Sequence, residues 1–542
     1  MKMYRTLRLL ALAAVCALLL GLLPAAAMAA PEGVWTDYAA SEFAGGKGTQ
    51  DDPYQIATAE QLAYLAKIAN TAQMHTYKGY YILTADIDLS AHRWAPIGSG
   101  GVDTANYFSG VFDGDGHTIT GLYVDGSGSG TAGLFGQIDT KDQASVLNLT
   151  IEDAYVKSSD KEAGILAGRA VNSGLSIINC HVSGTVSGIN RAGGLVGYTS
   201  YASFENCSAQ VQVQGTDGNV GGFVGEAFQG TFVDCSVTGT VKGLWSCGGF
   251  GGCIWFFSQV ERCLADVDVS AGDWNTGGFV GHTEQESEFS DCAALGDVSN
   301  PITTTTTRLG GFVGNVHGDY GEKNTFENCV AAGKVTGGNE THPAGGFAGY
   351  VRRDNSFTGS TFNQDANAGL GPIGELQDAS GTGISGRSAQ EALAAVCAIF
   401  GHEEGQPENI EATCTQPGVS GRTLCQRCGE VVNQGTSVPA LGHTPLVISR
   451  VEPTCAAEGY SGDTVCAVCQ TLLEKGETLA ALGHEYVDGV CIRCGEAQPD
   501  VTAPPQTGDH SRPDLWALLM LLSLGGLCAA AHAVRRRRGS AR

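Results

Sequence analysis

Between residues 402 and 494 the chain sets cysteines and histidines at a fixed interval. Cys414, Cys425 and Cys428 recur 41 residues later as Cys455, Cys466 and Cys469. His402, His443 and His484 keep the same interval, and a shortened third copy ends on Cys491 and Cys494. A Cys-x-x-Cys turn puts two thiolates on one ion, and a further Cys with a His completes the tetrahedral shell that zinc prefers. The spacing assigns Cys414, Cys425 and Cys428 to a first site with either His402 or His443. It assigns Cys455, Cys466 and Cys469 to a second site with His443 or His484. His484, Cys491 and Cys494 then form a weaker third site, with water or Asp488 in the fourth position. Units of ~40 residues with few large apolar side chains need a staple to fold. Structural zinc is the preferred staple. Disulfides, which an exported location favours, and free thiols stay open, although three cysteines per unit leave an odd thiol. No βαβ pattern surrounds these cysteines, which argues against thioredoxin-like redox chemistry.

Carboxylates are the other candidates. Asp266, Asp268 and Asp297 form an acidic cluster that could hold calcium or act as a catalytic pair on a polysaccharide; the simpler reading is a solvated face of an acidic protein. Asp113-Gly114-Asp115-Gly116 has calcium-loop spacing but no bidentate Glu at the required distance, so a glycine-bearing turn explains it better. The formal charge of −25 opposes non-specific nucleic-acid binding through phosphate repulsion. No catalytic constellation stands out, and a non-enzymatic protein is expected.

The elements that must carry these residues are repeats. Gly is 78 of 542 residues, about twice the usual ~7%. A Gly-apolar-apolar core recurs eight times, with second glycines at Gly133, Gly164, Gly194, Gly222, Gly249, Gly278, Gly311 and Gly346. A second column runs in step: Cys180, Cys207, Cys235, Cys263, Cys292 and Cys329, each with a Val six residues later and Ile, Phe or Val three residues earlier. Period-2 alternation from Cys to Val gives short strands with one buried face. No single repeat can bury that face alone, so the copies must stack into a right-handed parallel β-helix or a close relative. Like residues then lie over like at ~4.8 Å, and Phe279 should stack between Phe250 and Phe312. The paired glycines answer either a positive φ or a close approach between coils. The residues before each ladder cysteine, from Asn179 to Asn328, suit polar turn corners. The ladder cysteines behave as small buried hydrophobes, while Cys247 and Cys253 have no counterparts in neighbouring repeats. Capping boxes at Thr58-x-x-Gln61 and Ser388-x-x-Glu391 open amphipathic helices at the two edges of the array. Both are expected to act as lids over terminal strand edges.

From residue 45 to 385 the chain resembles proteins carrying the GLUG motif, found on surface proteins of gut bacteria and in N-terminal regions of some immunoglobulin-A peptidases. The resemblance rests on the Gly cores, the run Leu83-Thr84-Ala85-Asp86-Ile87-Asp88-Leu89, and Phe112 to Ile119. It implies a β-helix and surface exposure, and no activity. The peptidases' His-Glu-x-x-His motif is absent, since His402-Glu403 is followed by Glu404-Gly405-Gln406. The Cys/His units resemble zinc-ribbon-like repeats that serve as stalk modules in Gram-positive surface proteins.

The ends are read as targeting. Residues 1–30 have the basic, apolar and small-residue order of a signal peptide. Leu515 to Val534 is long enough to span a bilayer, and Arg535 to Arg538 would hold the far end in the cytoplasm. Just upstream, Pro504-Pro505-Gln506-Thr507-Gly508 resembles the Leu-Pro-any-Thr-Gly sorting signal of sortase substrates, with Pro504 where Leu is usual. That resemblance implies that a sortase cuts before Gly508 and joins Thr507 to peptidoglycan. The expected organisation is an all-β chain: signal peptide 1–30, β-helix with end-capping helices 31–400, Cys/His repeats 401–496, linker with sorting signal 497–514, transmembrane helix 515–534 and basic tail 535–542. The expected role is adhesion to host or matrix glycans or proteins. A polysaccharide-acting enzyme, a glycan-binding module and an extracellular metal-binding protein are the alternatives.

Overall fold

The computed structural model describes residues 30–499, apart from 72–77, 100–105, 127–129, 141–143, 302–306, 319–322, 354 and 379–382. The signal peptide, sorting signal and spanning segment lie outside the described residues. So does most of the two side loops, Pro301 to Arg308 and Gly318 to Lys323, where ligand contacts are expected. No helix among the described residues is long and apolar enough to cross a membrane. The chain divides into two compact units, one running to Glu408 with Gly421–Thr436, the other Asn409–Ser420 with Ser437 onward.

The first unit is a parallel β-solenoid. One coil shows its plan. Strands Ser203–Glu205 and Ser208–Gly215 belong to one large sheet, Asn219–Gly221 to a five-stranded sheet and Val224–Phe228 to a nine-stranded sheet. Each strand pairs in parallel with its counterpart one coil on, as in Phe204↔Phe232, Val213↔Val241 and Val224↔Gly251. Because the pairing is in register, the inward residues form columns. Phe223, Phe250, Phe279, Phe312 and Phe347 stack with centroids 4.7–4.9 Å apart and planes within 7°. Phe279 sits between Phe250 and Phe312 as expected. A second column, Phe289, Phe326 and Phe357, meets the first edge to face, the Phe279–Phe289 planes lying at 90°. Both orientations suit the ring quadrupole.

The six ladder cysteines are buried and free, each Sγ within 3.5 Å of the carbonyl two residues before it. Burial pushes the Cys263 and Cys329 thiols up. The preceding corner residues, Asn179, Asn206, Asp234, Arg262, Asp291 and Asn328, all lie in the left-handed region, φ 49–53°. They bond mainly to one another, not to backbone: the Asn206 amide donates to Asn179 Oδ1 (2.8 Å) and Asn179 donates to Asn148 Oδ1 (2.9 Å). Left-handed geometry is least costly for Asn and Asp, and stacking supplies the side-chain partner.

Close approach, not positive φ, explains the paired glycines. A Cβ on Gly222 would meet the Gly249 carbonyl oxygen at 2.2 Å, and one on Gly249 would meet that of Gly278 at 2.1 Å. The structure corrects one alignment: Ala132↔Ala163 and Ala163↔Ala192 are bridged, so Gly133 and Gly164 stand in the column of Gly193, one place earlier than assigned. Ile165 takes the place of the second glycine. Cys247 lies in the five-stranded sheet between Val220 and Thr276, and Cys253 in the nine-stranded sheet between Glu226 and His282.

Helix α1 (Ala59–Thr71) buries Leu62, Leu65, Ala66 and Ala69 in the main solenoid core, while Ile68 is only half-buried. Thr58 Oγ1 accepts from the Gln61 N–H, but the Gln61 side chain accepts from Ala57, not from the cap residue. Helix α2 (Ala389–Phe400) has the complete capping box on Ser388 and Glu391. It is not an end lid. Ala392 and Val396 pack with Ala293, Val330 and Ala332, outward-facing apolar positions of the large sheet, so α2 covers a flank of the solenoid.

The second unit consists of short antiparallel pairs, including Pro445–Ile448 with Asp463–Cys466 and Gly459–Tyr460 with Thr478–Leu479. Its described residues form no apolar core. Among its described residues the buried ones are Cys414, Cys455, Cys466, Cys491 and three glycines, whereas Leu441 is 65% and Val447 53% exposed.

Candidate metal centres

The structure gathers the cysteines and histidines into three quartets: Cys397, His402, Cys425 and Cys428; Cys414, His443, Cys466 and Cys469; Cys455, His484, Cys491 and Cys494. In each quartet the Cys-x-x-Cys turn and the histidine upstream of it come from one repeat, and the remaining cysteine comes from the element before. The spacing-based grouping is therefore corrected. Cys414 does not join Cys425 and Cys428, and Cys455 does not join Cys466 and Cys469; each serves the following turn. The reason is visible between Cys455 and Cys466: segments Gly459–Tyr460 and Asp463–Cys466 are extended strands, and at ~3.3 Å per residue they carry the two sulfurs apart. The third site has a full set of four ligands, so neither water nor Asp488 is needed. The first site takes Cys397, on the buried face of α2, a residue the spacing does not single out. Its signal is a count: three turns and three histidines leave three places, and Cys414 and Cys455 fill two.

The geometry of the quartets repeats. The sulfurs of Cys397 and Cys425 lie 3.6 Å apart, those of Cys414 and Cys466 3.7 Å, and those of Cys455 and Cys491 3.8 Å. The second sulfur of each turn lies 3.4–3.5 Å from the histidine Nδ1. A tetrahedron with Zn–S of ~2.3 Å has edges of about 3.8 Å, slightly shorter to nitrogen, whereas a disulfide requires ~2.05 Å. The four donors of each quartet fit one tetrahedral ion. The distant Nε2 of His402 lies 3.6 Å from Glu430, and that of His484 3.7 Å from Glu496, the outer partners that orient a ligating imidazole.

The thiols are electrostatically unequal. The backbone N–H of Cys469 holds Cys466 down to about 5, and the N–H of Cys428 holds Cys425 down to about 6. Cys491 is lowered to about 5 because the N–H groups of Cys494 and Arg493 outweigh the opposing effect of burial. The cysteine contributed by the preceding element goes the other way, by desolvation and by the neighbouring sulfurs: Cys397 rises to about 12, Cys414 and Cys455 to about 11. Each quartet thus offers at least one ready thiolate, the second also a lowered Cys469, and one thiol that ionises when a cation arrives.

The acidic cluster of the solenoid is engaged in backbone bonding. Asp268 Oδ1 accepts from the Asp297 N–H (2.9 Å), and Asp297 Oδ1 from the Lys334 N–H (2.8 Å). Asp266 is raised by desolvation, with Arg427 opposing. Asp113 Oδ1 accepts from the Asp115 N–H and from Asn148 Nδ2, which makes Asp113–Gly116 a side-chain-closed turn within a coil. A further group, His282, Glu284 and His317, could offer ligand atoms, but Arg352 Nη1 lies 2.5 Å from His317 Nε2, and a guanidinium there repels a cation.

The first unit is a parallel β-solenoid carrying GLUG motif repeats. The GLUG motif model matches residues 188–214 and 216–242. Halomucin from Haloquadratum walsbyi is 42% identical over 170 residues, 29% of this chain. A protein from Evansella cellulosilytica, provisionally named a Gly-rich membrane protein, is 36% identical over 135 residues, 24% of this chain. The chain spans only 2% and 14% of those relatives' lengths. A solved structure from Bacteroides ovatus, provisionally named an immunoglobulin A1 protease, is similar at 18% identity and a TM-score of 0.41, covering 67% of this chain and 92% of that one.

Proposed function

We propose that this chain is a non-enzymatic cell-surface protein, in which a GLUG-repeat solenoid is displayed on zinc-stapled Cys/His repeats and anchored at Thr507 by a sortase. The observation that carries the reading is that, among the described residues of the second unit, the only buried side chains are Cys414, Cys455, Cys466 and Cys491. A segment built that way gains its rigidity from metal, which suits a stalk. The relative named as a membrane protein supports a place at the cell envelope. Adhesion to host or matrix glycans or proteins is the role such a display serves. Two of the three solenoid carboxylates singled out by sequence, Asp268 and Asp297, accept from backbone N–H groups, which weighs against the polysaccharide-enzyme reading.

The anchoring step is tested by fractionating cells that express the wild type or Thr507→Ala. Mass spectrometry of wall digests should find Thr507 joined to a peptidoglycan peptide, and the variant should move to the membrane or medium. Wild type that extracts fully with mild detergent and still ends at Arg542 would show that no sorting occurs.

A further inference from the structure

The residue following each Gly core and the residue two places before it face each other across one outer corner of the solenoid. They line the corner between the five- and nine-stranded sheets with mostly polar side chains. In its early coils the charges are compensated. Glu162 receives Arg169 (2.7 Å) and Arg191 (3.0 Å), and Glu226 receives Arg191 (2.6 Å) and the Asn219 amide (2.7 Å). Further along they are not paired in this way. Arg308 is half-buried, with its guanidinium 4.0 Å over the Tyr350 ring, and among the described residues no carboxylate lies within 4.0 Å of it. Arg352, stacked on His317 in the nine-stranded sheet, touches only the imidazole, and its buried Nε has no partner. The nearby carboxylates are occupied: Glu284 by His317 (3.2 Å) and Glu375 by His342 (3.2 Å). Neither guanidinium has a carboxylate in direct contact among the described residues, although the charge of Glu375 acts on Arg308 at longer range.

A second observation lies on the same line of the sheet. Phe228, Trp255, Glu284, His317 and Arg352 are successive register partners along the solenoid axis. Beside the first two, Tyr201 (48% exposed), Phe256 and Phe257 (49% exposed) are held at φ 54–60°. Bulky side chains rarely adopt that backbone conformation, and it costs free energy. Along this line aromatic side chains are followed by Glu284 and His317 and then by the cationic Arg352.

We propose that this corner binds an acidic glycan, with pyranose faces against the Trp255 and Phe257 side chains and a carboxylate or sulfate in the forks of Arg308 and Arg352. Planar guanidiniums match the geometry of either anion in two-point contact, and exposed aromatic faces suit the apolar face of a ring. A peptide is the poorer fit, because strands here are paired on both sides by neighbouring coils and leave no edge for main-chain addition. The proposal refines the contact role proposed above, but its failure is distinguishable, since anchoring at Thr507 is read by fractionation and not by binding.

The experiment is calorimetric titration of the detergent-purified full chain with four probes: an oligogalacturonate, a dextran sulfate oligosaccharide, an uncharged dextran oligosaccharide and polyglutamate. Binding of either acidic sugar, without the uncharged one or the peptide, is expected; which of the two binds tells carboxylate from sulfate. Arg308→Gln and Arg352→Gln should each weaken it at least about tenfold, Trp255→Ala should weaken it too, and Arg262→Gln, on another face, should not. If Arg308→Gln fails to fold, Arg308→Lys keeps the charge without the fork and should still bind more weakly. No binding of either acidic sugar, equal binding of dextran or polyglutamate, or unchanged affinity in folded Arg308 and Arg352 variants would overturn the proposal.

Discussion

A single cysteine separates the two groupings of the metal ligands. Cys397 sits on α2, five residues before His402, and its sulfur lies 3.6 Å from Cys425. Cys397→Ser should therefore lower the zinc content of purified protein from three equivalents to about two, and leave the other quartets filled. A variant that retains three would remove Cys397 from the first site. The thiol asymmetry makes a second prediction. In metal-free protein, ultraviolet thiolate absorbance should show a low-titrating thiol in every quartet, Cys425 at about 6 and Cys466 and Cys491 at about 5, with Cys469 also lowered by its hydrogen bond to Thr471. These values lie below the ~8.5 of an unfolded thiol, so the stabilisation by the thiolate is complete above ~8.5 and is lost as pH falls through 6 to 5. Zinc affinity should weaken over the same window, because a proton then competes for the first sulfur. A flat affinity from pH 7 to 5 would contradict this.

At the scale of elements, the coils share one set of columns, and damage should stay where it is made. Phe279→Ala removes a fully buried ring stacked on both sides and should cost ~3–5 kcal/mol. Hydrogen exchange should rise most at coils 250–312, since solenoid stability is a sum over neighbours. Exchange spread evenly over all coils would refute that picture. Much of this was legible in the chain: the interval of the Gly cores and the Cys-to-Val columns predict stacking, and Phe279 falls between the two rings expected. The fate of α2 was not, because its amphipathic face says that it packs without saying on what. The outward Ala293, Val330 and Ala332 supply the surface, and they read as small exceptions to an alternating pattern until the strands are stacked.

For the whole molecule, metal and solenoid should come apart experimentally. Chelation should release three zinc ions and unfold the second unit, whose buried side chains are cysteines, while the Phe-stacked solenoid keeps its near-ultraviolet signature. Protein purified without reductant that holds no metal and shows paired disulfides would replace the zinc stalk with an oxidised one. Periodicity alone determined the parallel stacked fold, the inward Phe, Val and Cys columns and all of the quartets' Cys and His side chains except Cys397, because each follows from local spacing repeated many times. Only tertiary structure decided which cysteine joins which turn, that Asp268 and Asp297 are spent on backbone N–H groups, and that Arg308 and Arg352 are left without a carboxylate in direct contact. Those outcomes depend on where extended strands carry a side chain and on what faces it from the next coil, and neither distance is a function of sequence separation.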